Sequence, residues 1–338
     1  LGECNSPLQR NTNAGLLILL ELLYYYYTMH TIKPKPLPKN AVIGIVSPAS
    51  PQRDPARLDR GIAYLEGLGY RVELGKNALQ SYGGYLAGTD DERREDIEAM
   101  FVNPGIDAIF CARGGYGTSR FLSILDYDCI RNNPKIFVGF SDTTALQAAI
   151  FVKTGLVTFS GAMPSVDMAD DFRTVSEEWF WGMLTEPDFA LTHTVQAERL
   201  APGGARGKLI CGNLSVMTTL LGTPYCPDFT GNILLLEDIG EEPYRVDRML
   251  SHLENTGAFT GAQALAFGQF TESAMRPASV PQRPVSEVLA DYAERSHLPV
   301  VSNILYGHQP EKLTLPYGIL AEIPEEGAEM RFLERAVE

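Results

Sequence analysis

The sequence predicts an α/β protein: a doubly wound parallel sheet in the N-terminal half, followed by a smaller α+β domain. Three observations carry this. From Ala41 onward short β-rich apolar runs alternate with amphipathic helical patterns, the order in which strands and crossover helices build a parallel sheet. Glycine-containing corners follow several of those runs, as turns at strand ends require. The length of 338 residues, 45% hydrophobic and 21% charged, suits a two-domain globular chain.

"AVIGIVSP" (41–48) reads as the first strand and "PARLDRGIAYLEGLG" (55–69) as a helix with apolar residues at helical spacing. "RVELG" (71–75) returns to strand. "DDERREDIEAMFV" (90–102) is a helix whose acidic first turn suits the positive end of its dipole. "DAIFCA" (107–112) is a buried strand, and "RGGYGTSRFLSIL" (113–125) a glycine turn feeding another helix. "KIFVGF" and "TTALQAAIFVKTG" repeat the unit, and "LVTFSGA" (156–162) closes it. These divisions predict a first domain over 41–166. Residues 167–200 are acidic, show no clean period and read as a connector. A second domain over 201–335 holds the strands "GNILLLE" (231–237), "GAQALAFGQF" (261–270) and "PVVSNI" (299–304), the helix "PVSEVLADYAERS" (284–296) and a C-terminal "YGILAEIP".

Residues 1–40 stand outside this pattern. "GLLILLELLYYYYTM" (15–29) is apolar, yet it contains Glu21 and is short for a membrane span. It reads as an extension outside the fold, with a degenerate signal or anchor as the competing reading. Formal net charge is -14, which argues against a nucleic-acid partner held through phosphate neutralisation. Cys4, Cys111, Cys129, Cys211 and Cys226 are odd in number and lack metal-finger spacing, as reduced thiols of a cytoplasmic protein would be. Cys111 ends an apolar run and reads as a small buried hydrophobe.

The corner "VGFSDTTAL" places Ser141 between a strand and a helix. A serine there is either an N-cap or a nucleophile on a sharp turn, with nearby N–H groups aimed at a developing oxyanion. A nucleophile needs a base. Of five histidines, His30 lies in the tail, His193 in the connector, His252 within a helix and His297 at a helix end. His308, in "VVSNILYGHQP", follows a buried strand on a glycine-flanked loop. The base needs a carboxylate, and Glu237 ends the apolar run of "ILLLEDIGEEPYR", where an unpaired charge is costly. Its bland alternative is an ion pair with Arg245; Asp238, Glu241 and Glu242 read as a solvated turn. Serine, glutamate and histidine thus each follow a strand, in that chain order.

Asp142 N–H is the expected first oxyanion donor, and the backbone of "RGGYG" (113–117) can supply a second, at Gly115. Gly114 lets the chain approach a substrate, and Arg113 either clamps a substrate carboxylate or tethers the sheet edge. The run is neither a dinucleotide fingerprint nor a Walker loop, and no cofactor or metal is expected.

"IGIVSPAS", "YLAGTDDERREDI", "CARGGYG", "VGFSDTTAL", "CGNLS", "LLLEDIGEEPYRVDRML" and the "GH" of "YGHQP" resemble the LD-carboxypeptidase family of serine peptidases, in order over roughly residues 40–335. The resemblance implies a catalytic triad of Ser141, Glu237 and His308. It also implies a flavodoxin-like N-terminal domain, a swivelling β/α C-terminal domain, and a homodimer. The implied reaction is release of terminal D-alanine from a murein tetrapeptide in the cytoplasm, during peptidoglycan recycling. The partner is then a small peptide, with no membrane or nucleic acid involved. Two alternatives stand beside it: a self-immunity hydrolase acting on a peptidyl or aminoacyl nucleotide of the microcin C type, and a non-catalytic two-lobed binding module. Cys211, where family members often carry glycine, and the apolar extension depart from the pattern.

Overall fold

In the computed structural model, which describes residues 31–271 and 283–338, the alternating runs form β1 (Val42–Val46), α1 (Pro55–Gly67), β2 (Arg71–Leu74), α2 (Asp90–Val102), β3 (Ala108–Cys111), α3 (Tyr127–Asn132), β4 (Ile136–Gly139), α4 (Thr144–Thr154) and β5 (Thr158–Ser160). The helices start where local chemistry satisfies their first N–H groups. The Asp54 carboxylate accepts from Ala56 N–H ahead of Pro55, and Thr89 and Glu92 form a reciprocal capping box. The strands run parallel in the order β2-β1-β3-β4-β5, and Leu315–Tyr317, from far along the chain, adds antiparallel to β5.

Residues 167–200 are not the bare connector expected. They hold α5 (Thr174–Thr185), α6 (Phe189–Thr192), β6 (Thr194–Val195) and the start of β7 (Glu198–Ala201). Helix α5 meets apolar neighbours on several sides: Trp179 on Phe189, Phe180 on Phe110, and Trp181 on Tyr70. Apolar residues all round leave no helical period to detect. The same helix covers one face of the sheet. Ile109 and Phe137 are register partners and so share a face, leaving Phe110 on the other. Phe137 packs on Phe101 of α2 and Phe110 on Phe180 of α5, so helices lie on both faces.

The helix expected after "RGGYG" is a single 3-10 turn, Thr118–Arg120. Thr118 is drawn to the corner after β4 instead. Its N–H donates to the Asp142 carboxylate at 2.9 Å and its hydroxyl to the Asp142 carbonyl at 2.6 Å. Helix α3 then begins only where Asp126 caps it.

The remaining elements are β8 (Ala205–Asn213), α7 (Leu214–Leu220), β9 (Ile233–Ile239), α8 (Pro243–Asn255), β10 (Ala264–Thr271), α9 (Val285–Ser296), β11 (Val300–Ser302), β12 (Leu315–Tyr317), β13 (Leu320–Ile323) and β14 (Met330–Phe332). Among the described residues the second sheet has eight strands against six in the first, in the order β6-β14-β13-β8-β9-β10-β11-β7. The sequence predicts a smaller second domain, yet the sheet of that half has the larger number of strands. Of its parallel centre, β9, β10 and β11 match the strands that the sequence predicts, whereas β8 was not among them; its antiparallel edges come from 194–201 and 320–332. The two sheets are tied at the site, where Asn213 N–H at the end of β8 donates to Thr144 Oγ1 at the start of α4 at 3.0 Å.

Candidate active site

Strand β4 ends at Gly139, and two residues later Ser141 adopts φ +66°. Left-handed backbone is strained for a residue with a Cβ and persists where its surroundings enforce it. Ser141 opens a 3-10 turn, Ser141–Thr143, that runs into α4, and neither element has a side-chain cap bond. The N-cap reading therefore fails. Among the described residues, no hydrogen bond engages the Ser141 hydroxyl.

Gly114 faces this serine. A Cβ on Gly114 would lie 2.9 Å from Ser141 Cβ and 3.2 Å from its Oγ, so only glycine lets the loop come so close. Gly115, at φ +130°, faces Ser50 instead.

His308 and Glu237 meet from separate elements. Glu237, in β9 after four apolar residues, is fully buried, and its Oε2 lies 2.7 Å from His308 Nδ1. The loop after β11 lays the imidazole against Phe140, the residue before Ser141, with ring centroids 4.9 Å apart. The bond to Nδ1 leaves Nε2 for a reacting partner. Arg245, the alternative partner of Glu237, pairs with Glu241 instead, at 3.6 Å. A serine elbow, a buried acid and an oriented imidazole thus converge from β4, β9 and the loop after β11.

Models of the LD-carboxypeptidase N-terminal and C-terminal domains match residues 43–161 and 206–323. This chain belongs to the LD-carboxypeptidase family. It is 40% identical to the "Probable murein peptide carboxypeptidase" of Bacillus subtilis, over 86% of this chain and 90% of that protein. It is 30% identical to the microcin C7 self-immunity protein MccF of Escherichia coli, over 86% of this chain and 92% of that one. The solved muramoyltetrapeptide carboxypeptidase of Oxalobacter formigenes superposes with a TM-score of 0.77 at 30% identity, covering 86% of this chain and 98% of that one. The protein is accordingly a serine-type carboxypeptidase.

Around Glu237 and His308 of this LD-carboxypeptidase the polar groups are densely committed. Asn213 Nδ2 donates to Glu237 Oε1 at 3.2 Å and to Asp238 Oδ1 at 2.9 Å, while its Oδ1 caps α7 through Val216 N–H. In the sequence Asn213 stands out only as part of "CGNLS". Its role depends on two strands becoming neighbours, and the one local signal is its N-cap position. Lys312, in the His308 loop, pairs with Asp167 at 2.9 Å, both buried, and sits 4.7 Å from the Phe140 ring.

Asp238 is not the solvated turn residue expected. It is buried, accepting from Ser215 N–H, Ile239 N–H and Asn213, because β9 continues through it. Burial pushes its carboxyl up to about 6. A carboxyl raised by folding binds its proton more tightly in the native state, so stability falls as pH rises from its ordinary value near 3.8 to about 6. Thermal melting followed across that window is expected to show this decline, and Asp238→Asn to flatten it; equal slopes would refute the assignment.

Arg113 is half-buried and donates to the Pro51 carbonyl at 3.0 Å; no ion pair engages it among the described residues. Burial, and then the charge of Arg53, hold its pKa below the ordinary arginine value. Cys111 and Cys211 are buried, and burial pushes the Cys211 thiol up to about 12, which makes it a packing residue. Among the described residues there is no group of three or more His, Cys, Asp and Glu placed to hold a metal, and no helix long and apolar enough to cross a membrane. The segment 15–29 and His30 lie outside the described residues.

Proposed function

We propose that this enzyme releases the terminal D-alanine of a murein tetrapeptide by cutting the bond between the L-centre of its diamino acid and D-Ala. The observation that carries the reading is the contact of buried Glu237 with partly buried His308 at 2.7 Å, set beside a serine held at φ +66°. His308 Nε2 takes the proton from Ser141 as the oxygen attacks the carbonyl, while Glu237 holds the tautomer and stabilises the imidazolium. The N–H groups of Asp142 and Gly115 receive the oxyanion, each contributing on the order of 3 kcal/mol. His308 then protonates the departing amine of D-alanine, and water hydrolyses the acyl-enzyme. Arg113, with guanidinium N–H groups to spare, anchors the free C-terminal carboxylate, and Gly114 keeps the approach open.

The murein substrate is supported by the Bacillus subtilis and Oxalobacter formigenes relatives. We read the first sheet as a flavodoxin-like, doubly wound domain over 41–166, supported by its 2-1-3-4-5 strand order and helices on both faces. Residues 201–335 then form a swivelling β/α domain, and the protein acts in the cytoplasm as a homodimer.

Incubation with a defined tetrapeptide is expected to release D-alanine, read by mass spectrometry. A tetrapeptide ending in L-alanine is expected to stay intact. Cleavage of a peptidyl nucleotide conjugate with no release from the tetrapeptide would reverse the substrate assignment.

A further inference from the structure

The residue after the nucleophile carries a second structural role through its side chain. Asp142 is buried at 6% exposure, and its carboxyl accepts from Thr118 N–H at 2.9 Å; burial raises its pKa, and the hydrogen bonds from Thr118 and Gly117 act against that rise. Its carbonyl accepts from the Thr118 hydroxyl at 2.6 Å. Gly117 and Thr118 end the loop that holds Gly114 against Ser141. The other side of that loop is fixed as firmly. Arg93 of α2, whose side chain is wholly buried, donates through Nη1 to the Gly117 carbonyl at 2.8 Å and to the Pro48 carbonyl at 2.7 Å. It is held in turn by Asp90, which also binds Arg120.

Ser50 adds a third tie, accepting from Tyr116 N–H at 3.1 Å and donating to the Tyr85 carbonyl. The glycine loop is therefore set by neighbours on the 3-10 turn Ser141–Thr143, on α2 and in the loop after β1, and the nearest of them begins at the nucleophile's own peptide. Oxyanion stabilisation depends on donors already in place when charge develops, so sub-ångström placement matters.

We propose that the Asp142 side chain and Arg93 are positioning residues that register the glycine loop on the nucleophile elbow, and so set the spacing between the two oxyanion donors. The proposal rests on the serine mechanism above. Asp142 reaches no substrate with its carboxylate; it acts through Gly117 and Thr118.

The test compares wild type, Asp142→Ala, Asp142→Asn and Thr118→Val in tetrapeptide turnover and in labelling of Ser141 by a fluorophosphonate, which needs the oxyanion site but no peptide recognition. Asp142→Ala is expected to lower kcat and the labelling rate about 100-fold, with KM within about threefold. Asp142→Asn, which keeps an acceptor oxygen, is expected to recover to within about tenfold of wild type, and Thr118→Val to lose about fivefold, as one hydrogen bond warrants. If Asp142→Ala does not fold, Asp142→Asn and Thr118→Val carry the test by the same criteria. Labelling and turnover within threefold of wild type in the alanine variant, or losses that appear in KM and follow thermal stability without recovery in the asparagine variant, would overturn the proposal. Failure of the underlying mechanism looks different: Ser141→Ala would then still turn over the peptide, or wild type would resist labelling altogether.

Discussion

Ser141→Ala is expected to lower kcat by on the order of 10⁵- to 10⁶-fold while leaving the folded state intact. The hydroxyl has no hydrogen-bond partner among the described residues and caps neither the 3-10 turn nor α4, so its removal leaves no buried group unsatisfied. A capping serine would behave otherwise, losing about 1 kcal/mol of stability and little activity. A companion substitution sharpens the contrast. Ser141→Gly relieves the φ +66° strain and is expected to be more stable than the alanine variant by about 1 kcal/mol, though equally inactive. D-alanine release and thermal denaturation measured on the same preparations check both statements. Residual activity above one per cent in either variant would remove Ser141 from the chemistry.

Glu237→Gln is expected to cost about 10⁴-fold in kcat with KM nearly unchanged. The substitution conserves shape in a fully buried position, and Asn213 remains to face one of the amide atoms. What changes is the proton. A carboxylate accepts from His308 Nδ1–H and leaves Nε2 free as a base, whereas an amide N–H directed at Nδ1 forces the proton onto Nε2. Nitrogen NMR of the His308 ring is expected to show that exchange of tautomers. A Gln variant within tenfold of wild type, or an unchanged ring tautomer, would show that Glu237 serves packing alone.

The strands and the three principal side chains were legible because each belongs to a local pattern. Ser141, Glu237 and His308 each follow an apolar run buried on both faces, and a polar group at that point needs a reason to be there. The ion pair of Arg245 with Glu241 was a choice between neighbours that spacing could not make. Asp238 was misread for a related reason: its three donors come partly from β8 and α7, and no sequence window contains them. Arg93 looks like one more charge in "DDERREDI", yet its donors reach carbonyls at 48 and 117. Segment 167–200 lacked a period because α5 is buried on several sides. The antiparallel edge strands, two to four residues long, were too short for alternation to show.

His308 lies between β11, which belongs to the second sheet, and β12, which is the antiparallel rim of the first, so its imidazole, the proposed base, rides on a strap anchored at both ends. Any slippage of one sheet past the other must be absorbed within residues 303–314, where Lys312 is already bolted to Asp167. Deleting the tail from Leu315 onward would spare every reacting group and still set the histidine adrift.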